Sequence, residues 1–312
     1  MELKFFLNQL SKRYHRVDFL KSDPLEFVHR YQDPWDQEAV ALLAALLAYG
    51  NVKQIRKSVA SVLEVIHALA PSPQSFVREL SGVRPLKAAR LGFAPLVHRF
   101  NPGHDILLLL RLLGRSWKEH GSLGAQLLSG LSPQAETAEA ALNSLILTWK
   151  TWALETEPEL AKPGASFLHL LTAPQDGSCC KRWCMLLRWM GRGPDQLDLG
   201  LWGKRSGLSA TFPKGRYLRA AQLVMPLDTH TGRISQYLEL TSRKSLNWKA
   251  ALEITQALKV CDPEDPTRYD FSLARLGILD LCQHKYRREI CGRCELFTVC
   301  RFPRKSGSRA LT

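Results

Sequence analysis

The chain has 312 residues, 45% of them hydrophobic, and carries 43 lysines and arginines against 29 aspartates and glutamates. This size and composition suit an ordinary globular protein that buries a substantial core in one large domain or two intimate ones. The net charge of +14 favours a polyanionic partner, with a merely basic surface as the alternative. The longest apolar run, residues 39–49, is too short to span a bilayer and argues against a membrane protein.

The N-terminal sequence gives an expectation about location. Met1 to Lys4 lack the positive start, the apolar centre and the cleavage site of an export signal. We therefore expect a cytoplasmic protein. In that reducing compartment Cys179, Cys180, Cys184 and Cys261 need not form disulfides.

The apolar residues recur at helical spacing along almost the whole chain, which predicts an all-α protein. Asp33 and Pro34 are typical of an N-cap and a first helical turn, and Gly50 is a stop signal. A second amphipathic helix is predicted over 53–67. Further helices are predicted over 105–113 and 138–152, with Pro- and Gly-rich breaks between them.

Two short helices joined by a turn are predicted between residues 165 and 190. The first covers 167–171 and ends in the Pro- and Gly-containing segment 172–178, and the second covers 180–190. Such a hairpin exposes backbone N–H groups at the start of its second helix, which can bind a phosphate without reading sequence. By itself the pattern is a weak indication, because any helical hairpin shares it.

A carboxylate, Asp228, stands where a further helix should begin. It is either a simple N-cap or a functional group that stabilises a cationic sugar or deprotonates a nucleophile. His230 either contacts DNA or the aspartate, or is an interior histidine. Asp270 and Arg275 are expected to be structural and paired with each other.

Residues 181–219 combine many cations with three tryptophans, Trp183, Trp189 and Trp202. One interpretation is a surface that grips a nucleic-acid strand, where stacking contributes ~1–3 kcal/mol per base. The other is a core position, which we favour for Trp183 and Trp189. Trp202 is a candidate for lining a pocket. Asp198 is an additional acidic residue in this segment and a candidate for a functional role.

Four cysteines near the C-terminus follow the spacing Cys-x8-Cys-x2-Cys-x5-Cys. They are Cys282, Cys291, Cys294 and Cys300. The spacing suits a 4Fe–4S cluster, and zinc is the alternative because tetrahedral thiolate sites also use a Cys-x2-Cys pair. Four unrelated core cysteines are a third interpretation. The segment around them is strongly basic, which predicts a cationic loop.

Three blocks of this sequence occur in the order seen in one known family. Leu42 to Lys57 is similar to that family's early helix, turn and helix, Gly177 to Lys181 resembles its Gly-x-Gly-x-Lys hairpin, and Leu227 to His230 resembles its Val-Asp-Thr-His motif. The cysteine run is similar to its Cys-x6-Cys-x2-Cys-x5-Cys loop. This family is the helix-hairpin-helix, Gly/Pro-Asp DNA glycosylase superfamily, in particular its endonuclease III-like iron–sulfur branch. Nearly the whole chain also resembles a bacterial branch that carries a domain-of-unknown-function label.

The resemblance implies a two-lobed, all-α fold with a C-terminal iron–sulfur cluster loop. It also implies double-stranded DNA as the partner, and hence a cytoplasmic protein that associates with the nucleoid. Lys181 would correspond to the family's Schiff-base lysine and Asp228 to its catalytic aspartate. The implied cofactor is the 4Fe–4S cluster, held by the four cysteines. The DNA-binding residues predicted from the resemblance and the cationic loop are Gly50, Asn51, Gly177, Ser178, Cys179, Cys180, Arg182, His230, Arg287, Arg288 and Arg293.

The chain departs from the family pattern at three places. Cys179 replaces the second hairpin glycine, residues 191–216 are inserted between Lys181 and Asp228, and the first cysteine spacing is longer by two. The insertion bears on Lys181 most, because it alters the interval between the two catalytic positions. A phosphate contact or a solvated lysine at a helix start is therefore the alternative role for Lys181.

Together these features predict an N-glycosylase of the base-excision-repair type, with AP lyase activity if Lys181 forms a Schiff base. Two alternatives stay open: a non-catalytic iron–sulfur protein that binds DNA structures, and a zinc-stabilised RNA-binding protein. No obligate protein partner is evident, and the sequence does not identify the base removed. The predicted divisions are an N-terminal segment packed on the second lobe (1–30), a central helical lobe (31–160), the hairpin and aspartate region (161–240), C-terminal helices with the cysteine loop (241–302) and a basic tail (303–312).

Overall fold

The computed structural model describes residues 2–302, and within them the chain is predominantly helical, as the hydrophobic pattern predicts. The predicted basic tail lies outside the described residues. The α-helices are α1 (Glu2–Tyr14), α2 (Pro34–Leu46), α3 (Val52–Leu69), α4 (Pro73–Glu79), α5 (Val83–Phe93), α6 (Gly103–His120), α7 (Leu123–Ser129), α8 (Glu139–Thr156), α9 (Pro158–Ala161), α10 (Lys181–Gly191), α11 (Thr229–Tyr237), α12 (Trp248–Cys261), α13 (Asp270–Ile278) and α14 (Arg288–Cys291). Short 3-10 helices cover Val17–Ser22, Pro24–Arg30, Ser166–Leu171, Pro174–Asp176, Ser209–Thr211, Ala220–Gln222 and Pro266–Tyr269.

Short polar side chains fix the starts of the helices that border the site. Asp33 caps α2 and Pro34 occupies its first turn, Asn51 caps α3, and Asp228 caps α11. Each cap accepts a backbone N–H that would otherwise lack a partner. The predicted helix starts at Asp33 and Asp228 are confirmed.

Two helices run further than the sequence pattern predicts. α6 continues beyond the predicted 105–113, and α8 continues beyond the predicted 138–152. In α6 the later turns keep an apolar residue, Trp117, on the buried side, while Arg115 and Glu119 form an i,i+4 pair on the outside. The continued amphipathic pattern therefore extends the helix.

α2 forms the centre of the core. Its apolar run, residues 39–47, is at most 2% exposed at every position, because the 3-10 helix Pro24–Arg30 and helices α3, α4, α6 and α10 pack around it. A helix covered on all sides is apolar all round, which explains the longest hydrophobic run in the chain. No helix within residues 2–302 is both long and apolar enough to cross a membrane.

A second group of helices packs beside this core and completes the surroundings of the site. α1 and α11 both pack against α13, and α12 packs against Pro266–Tyr269, which leads into α13. α10 contacts α2, and α11 contacts α13. These contacts bring the starts of α10 and α11 close to α13 and to the turn after α2.

The inserted segment, residues 191–216, packs against the core. Trp202 is fully buried, and its indole Nε1 donates to Glu38 Oε1 at 2.7 Å. Arg216 donates to three carbonyls at the end of α7, those of residues 128, 129 and 131. Trp202 therefore holds the insertion to α2 and does not line the cleft described below, contrary to the expectation of a pocket residue. The core positions expected for Trp183 and Trp189 are confirmed.

Candidate active site

Lys181 and Asp228 meet in one cleft of about 320 Å³. The cleft lies among the turn after α2, the starts of α10 and α11, and α13, and its lining includes Gly50, Asn51 and His230. Lys181 Nζ is 3.8 Å from Asp228 Oδ2. The insertion between the two positions in the sequence therefore does not separate them in space.

Asp228 is held by the helix that it caps. Its Oδ1 accepts the Thr231 N–H at 2.8 Å, which leaves Oδ2 facing the lysine. Burial opposes ionisation of Asp228, but the Lys181 ammonium and the Thr231 hydrogen bond outweigh burial and hold its pKa below the ordinary value. The carboxylate is therefore ionised at neutral pH and can stabilise a developing positive charge in the cleft.

The hairpin before α10 positions Lys181 as the first residue of that helix. Gly177 and Cys180 both take left-handed backbone conformations, with φ of 76° and 49°. Gly177 is exposed with open space around it, and Ser178 is half-buried. Cys179 Sγ donates to the Leu227 carbonyl at 3.4 Å, and this bond ties the hairpin to the residue before Asp228.

Two residues predicted to contact DNA at this hairpin have buried side chains. Arg182 is 8% exposed, and its guanidinium donates to the carbonyls of Leu46 and His169 in the interior. Cys180 is 3% exposed, and its N–H already donates to Ser178 Oγ at 3.1 Å. Neighbouring residues of an α-helix point in different directions, so Lys181 faces the cleft while Arg182 holds α10 to α2.

The turn after α2 lies at the rim of the cleft. Gly50 has φ of 95°, a conformation that L side chains rarely adopt, and both Gly50 and Asn51 are exposed. Asn51 Oδ1 accepts the Lys53 N–H at 2.9 Å and fixes the entry into α3. The structure thus places both predicted turn residues on the surface next to the cleft.

A neighbouring hairpin tip was not predicted as functional from the sequence. The antiparallel strands β1 (Val97–His98) and β2 (Asn101–Pro102) are joined by Arg99 and Phe100, both of which are exposed. Arg99 lies against Gly50, and Phe100 is 50% exposed beside Tyr49. The sequence signal was limited to the turn residues around Pro102, which indicate a loop and nothing about its position.

A buried ion-pair network reaches one wall of the cleft, which its members Arg188 and Asp270 line. Arg188 donates to Asp270 Oδ2 at 2.8 Å and lies 3.2 Å from Asp198 Oδ1, with all three side chains almost fully buried. Arg275 pairs instead with Asp23 at 2.6 Å. The expectation that Asp270 and Arg275 pair with each other is therefore wrong, because Asp270 faces α10 and the cleft.

The four C-terminal cysteines are partly exposed in a loop that folds back onto α11. The Arg301 N–H donates to the Tyr237 carbonyl at 2.7 Å, and Phe302 packs edge-on against the Tyr237 ring. Burial raises the pKa of Cys294 to about 11, and Cys282 and Cys300 are close enough to add to the rise. The four thiols therefore lie near one another, and Cys282 and Cys294, whose pKa values are raised by burial, keep their protons until a cation displaces them.

The donor set fits a thiolate-ligated metal in kind and number. Within residues 2–302, no three His, Cys, Asp or Glu side chains are already arranged as a metal site. The fit of a metal to this loop therefore rests on two observations: the loop holds four thiols, and neighbouring thiols contribute to the raised pKa values of Cys282 and Cys294.

Exposed cations surround this loop. Arg287, Arg288 and Arg293 are all exposed, as a surface that contacts a polyanion requires. His230 lines the cleft and its Nδ1 lies 3.0 Å from Nε2 of His284, two residues after Cys282. His230 therefore connects the cysteine loop to the cleft.

Comparison with known proteins gives a family but no activity. Residues 23–279 match the model of a family described as "Protein of unknown function (DUF2400)". The chain belongs to this family. The match includes Lys181, Asp228 and Asp270 and ends before Cys282. Searches of curated proteins and of solved structures found no match.

Proposed function

We propose that the protein is a DNA N-glycosylase of the base-excision-repair type, with AP lyase activity through Lys181. The observation that carries the proposal is the 3.8 Å approach of Lys181 Nζ to Asp228 Oδ2 in a cleft with exposed turn residues at its rim. An amine and an ionised carboxylate at this separation are the two groups that base removal by a Schiff-base route requires.

Asp228 would act on the sugar. Breaking the C1′–N bond leaves positive charge on C1′ and the ring oxygen, and a carboxylate held in place stabilises that charge without reorganising. The Thr231 N–H fixes Asp228 through Oδ1, so Oδ2 keeps its position in the cleft. The low pKa of Asp228, which the Lys181 ammonium and the Thr231 N–H maintain against burial, keeps the charge present at neutral pH.

Lys181 would supply the nucleophile. Attack of its amine on C1′ forms a covalent imine, after which β-elimination cleaves the strand. Its side chain is 31% exposed, so a sugar at the mouth of the cleft is within reach. The target nucleotide would leave the duplex to enter, as enzymes acting on bases require.

Duplex DNA would lie across the cleft mouth on a surface built from four elements. These are the turn at Gly50 and Asn51, the hairpin at Gly177 and Ser178, the tip at Arg99 and Phe100, and the cationic cysteine loop. Backbone groups and cations bind phosphates without reading sequence, and an exposed aromatic ring can stack on a base. The excess of positive charge over the whole chain supports the same partner.

We also propose that Cys282, Cys291, Cys294 and Cys300 hold a 4Fe–4S cluster, with zinc as the alternative metal. With cysteine at all four ligand positions, the bound group would fix the shape of the cationic loop. Absorbance near 400 nm in anaerobically purified protein, lost in Cys291→Ser, would distinguish the cluster from zinc.

Covalent trapping tests the enzymatic proposal. Duplex oligonucleotides, each with one damaged or mispaired base or an abasic site, are incubated with the protein and borohydride, which reduces an imine to a stable cross-link. We expect trapping by the wild type and none by Lys181→Ala. Lys214→Ala, which removes an exposed lysine of the inserted segment, serves as the matched control and should trap normally. Absence of base release and of trapping on every substrate would refute the proposal.

A further inference from the structure

Asp270 is a second carboxylate in the cleft, for which the proposed reaction so far has no role. It is the first residue of α13 and lines the same cavity as Lys181 and Asp228. Its side chain is 8% exposed, and its Oδ2 is held by Arg188 Nη1 at 2.8 Å. It is therefore fixed in position, at a wall that a bound nucleotide would approach.

We infer that Asp270 is a catalytic carboxylate that accepts the proton which the Lys181 nitrogen loses on attacking C1′. The inference rests on the proposed glycosylase function and assigns a further residue to the same site. Neither the sequence pattern nor the family match gives Asp270 this role.

The surroundings of Asp270 suit a proton acceptor. Burial raises its pKa to about 6 against the opposing charge of Arg188, and the charges of Asp228 and Asp198 contribute to this rise. Asp228, in contrast, is held below its ordinary pKa by Lys181 and the Thr231 N–H against burial. Two carboxylates in one cleft whose environments separate their pKa values are the arrangement in which one takes a proton and the other keeps its charge.

The charges that face Asp270 come from three elements. Arg188 and Lys181 belong to α10, Asp228 caps α11, and Asp198 lies in the inserted segment. On α13 itself Arg275 is occupied by Asp23. Arg188 is shared between Asp270 and Asp198, so its positive charge is divided between the two carboxylates.

The proton and electron balance of the step is complete. Lys181 starts as an ammonium and gives one proton to Asp270, which leaves a neutral amine. The lone pair of this amine forms a bond to C1′ while the C1′–N bond to the base breaks and its electron pair goes to the leaving base. The protonated Asp270 then returns the proton to the leaving base, directly or through water, and the Lys181 nitrogen remains bonded to C1′ as a secondary ammonium. No oxidant, reductant or further reactant is needed.

The test compares two aspartates that share Arg188. A duplex with a preformed abasic site is trapped with cyanoborohydride under single-turnover conditions between pH 5 and 8. Because Asp270 must be ionised to accept the proton, we expect the wild-type rate to rise as the pH passes about 6. Asp270→Asn should trap about 10²-fold more slowly, the usual loss for a general base, and should lose this inflection. Its DNA affinity, measured by fluorescence anisotropy, should stay within about twofold of the wild type, because Asn has the size of Asp and still accepts from Arg188.

Asp198→Asn is the matched control. Asp198 pairs with Arg188 but does not line the cleft, so this change should lower the melting temperature and leave the trapping rate at pH 8 within about threefold of the wild type. The inflection should remain but move to lower pH, because the Asp198 charge no longer raises the pKa of Asp270. Trapping by Asp270→Asn at the wild-type rate with the same pH profile would overturn the inference and leave the proposed function standing. Absence of trapping by the wild type would overturn both. If Asp270→Asn does not fold, the wild-type profile decides, because a rate without an inflection near pH 6 is incompatible with this role.

Discussion

Replacement of Asp228 by asparagine separates the catalytic role of this residue from its structural one. Asparagine is as good an N-cap as aspartate and would still accept the Thr231 N–H. The ion pair with Lys181 would be lost, but both side chains are partly exposed, so this pair is worth only ~0.2–1 kcal/mol. We therefore expect the melting temperature to fall by about 2 °C at most.

The effect on the reaction should be far larger. A unit charge 3.8 Å from a carboxylate, the separation of Lys181 Nζ and Asp228 Oδ2, is stabilised by about 4 kcal/mol at an effective dielectric constant of about 20. With solvent exposure of about a quarter of the Asp228 side chain, we discount this to about 2–4 kcal/mol for a cationic sugar in the same position. Base release should consequently slow by about 30- to 1,000-fold.

Single-turnover base release from a damaged duplex, followed together with DNA affinity and thermal unfolding, measures all three quantities. Asp176→Asn is the control, because Asp176 is an exposed hairpin carboxylate paired with Lys150 and lies outside the cleft lining. Its rate should match the wild type. A rate for Asp228→Asn within about threefold of the wild type would refute the electrostatic argument. A slow rate accompanied by a large loss of stability would show instead that the cap, and not the charge, had been lost.

Two further changes test the framework of the site. Gly50→Ala places a Cβ on a residue with φ of 95° and against Arg99. It should therefore destabilise the protein by about 1–2 kcal/mol and weaken duplex binding in anisotropy titrations. An unchanged melting temperature would contradict the predicted backbone strain. The Glu38 carboxylate accepts hydrogen bonds from Trp117, Trp202 and the N–H groups of residues 123 and 124, and Glu38→Gln leaves only one acceptor oxygen for them. The free energy of unfolding in urea should therefore fall by about 2–4 kcal/mol. A decrease below about 1 kcal/mol would argue against the carboxylate as the anchor of the insertion.

Local sequence signals were sufficient for the helices and their starts. Asp33 with Pro34, and Asp228 after Pro226, mark helix starts through interactions within a few residues, and the structure confirms them. The same signals do not predict which residues form ion pairs with each other. Asp270 and Arg275 are five residues apart on one helix, yet their partners Arg188 and Asp23 come from distant parts of the chain.

The basic residues between 181 and 219 show why the sequence alone does not predict the environment of a side chain. Arg182 and Arg216 look like solvent-facing cations, but Arg182 binds carbonyls in the interior and Arg216 binds the carbonyl groups at the end of α7. A carbonyl that lacks a helical partner attracts a guanidinium as effectively as a phosphate does. Only the fold determines which of the two is within reach.

The sequence by itself determined the helical class, the caps and the chemical types available: an amine, a carboxylate, four thiols and an excess of cations. The tertiary structure alone decided that Lys181 and Asp228 lie 3.8 Å apart despite the insertion, and that Asp270 joins them. The physical reason is range. Capping and periodicity act over a few residues, whereas the cleft forms where the turn after α2, α10, α11 and α13 pack together through long-range burial of apolar surface.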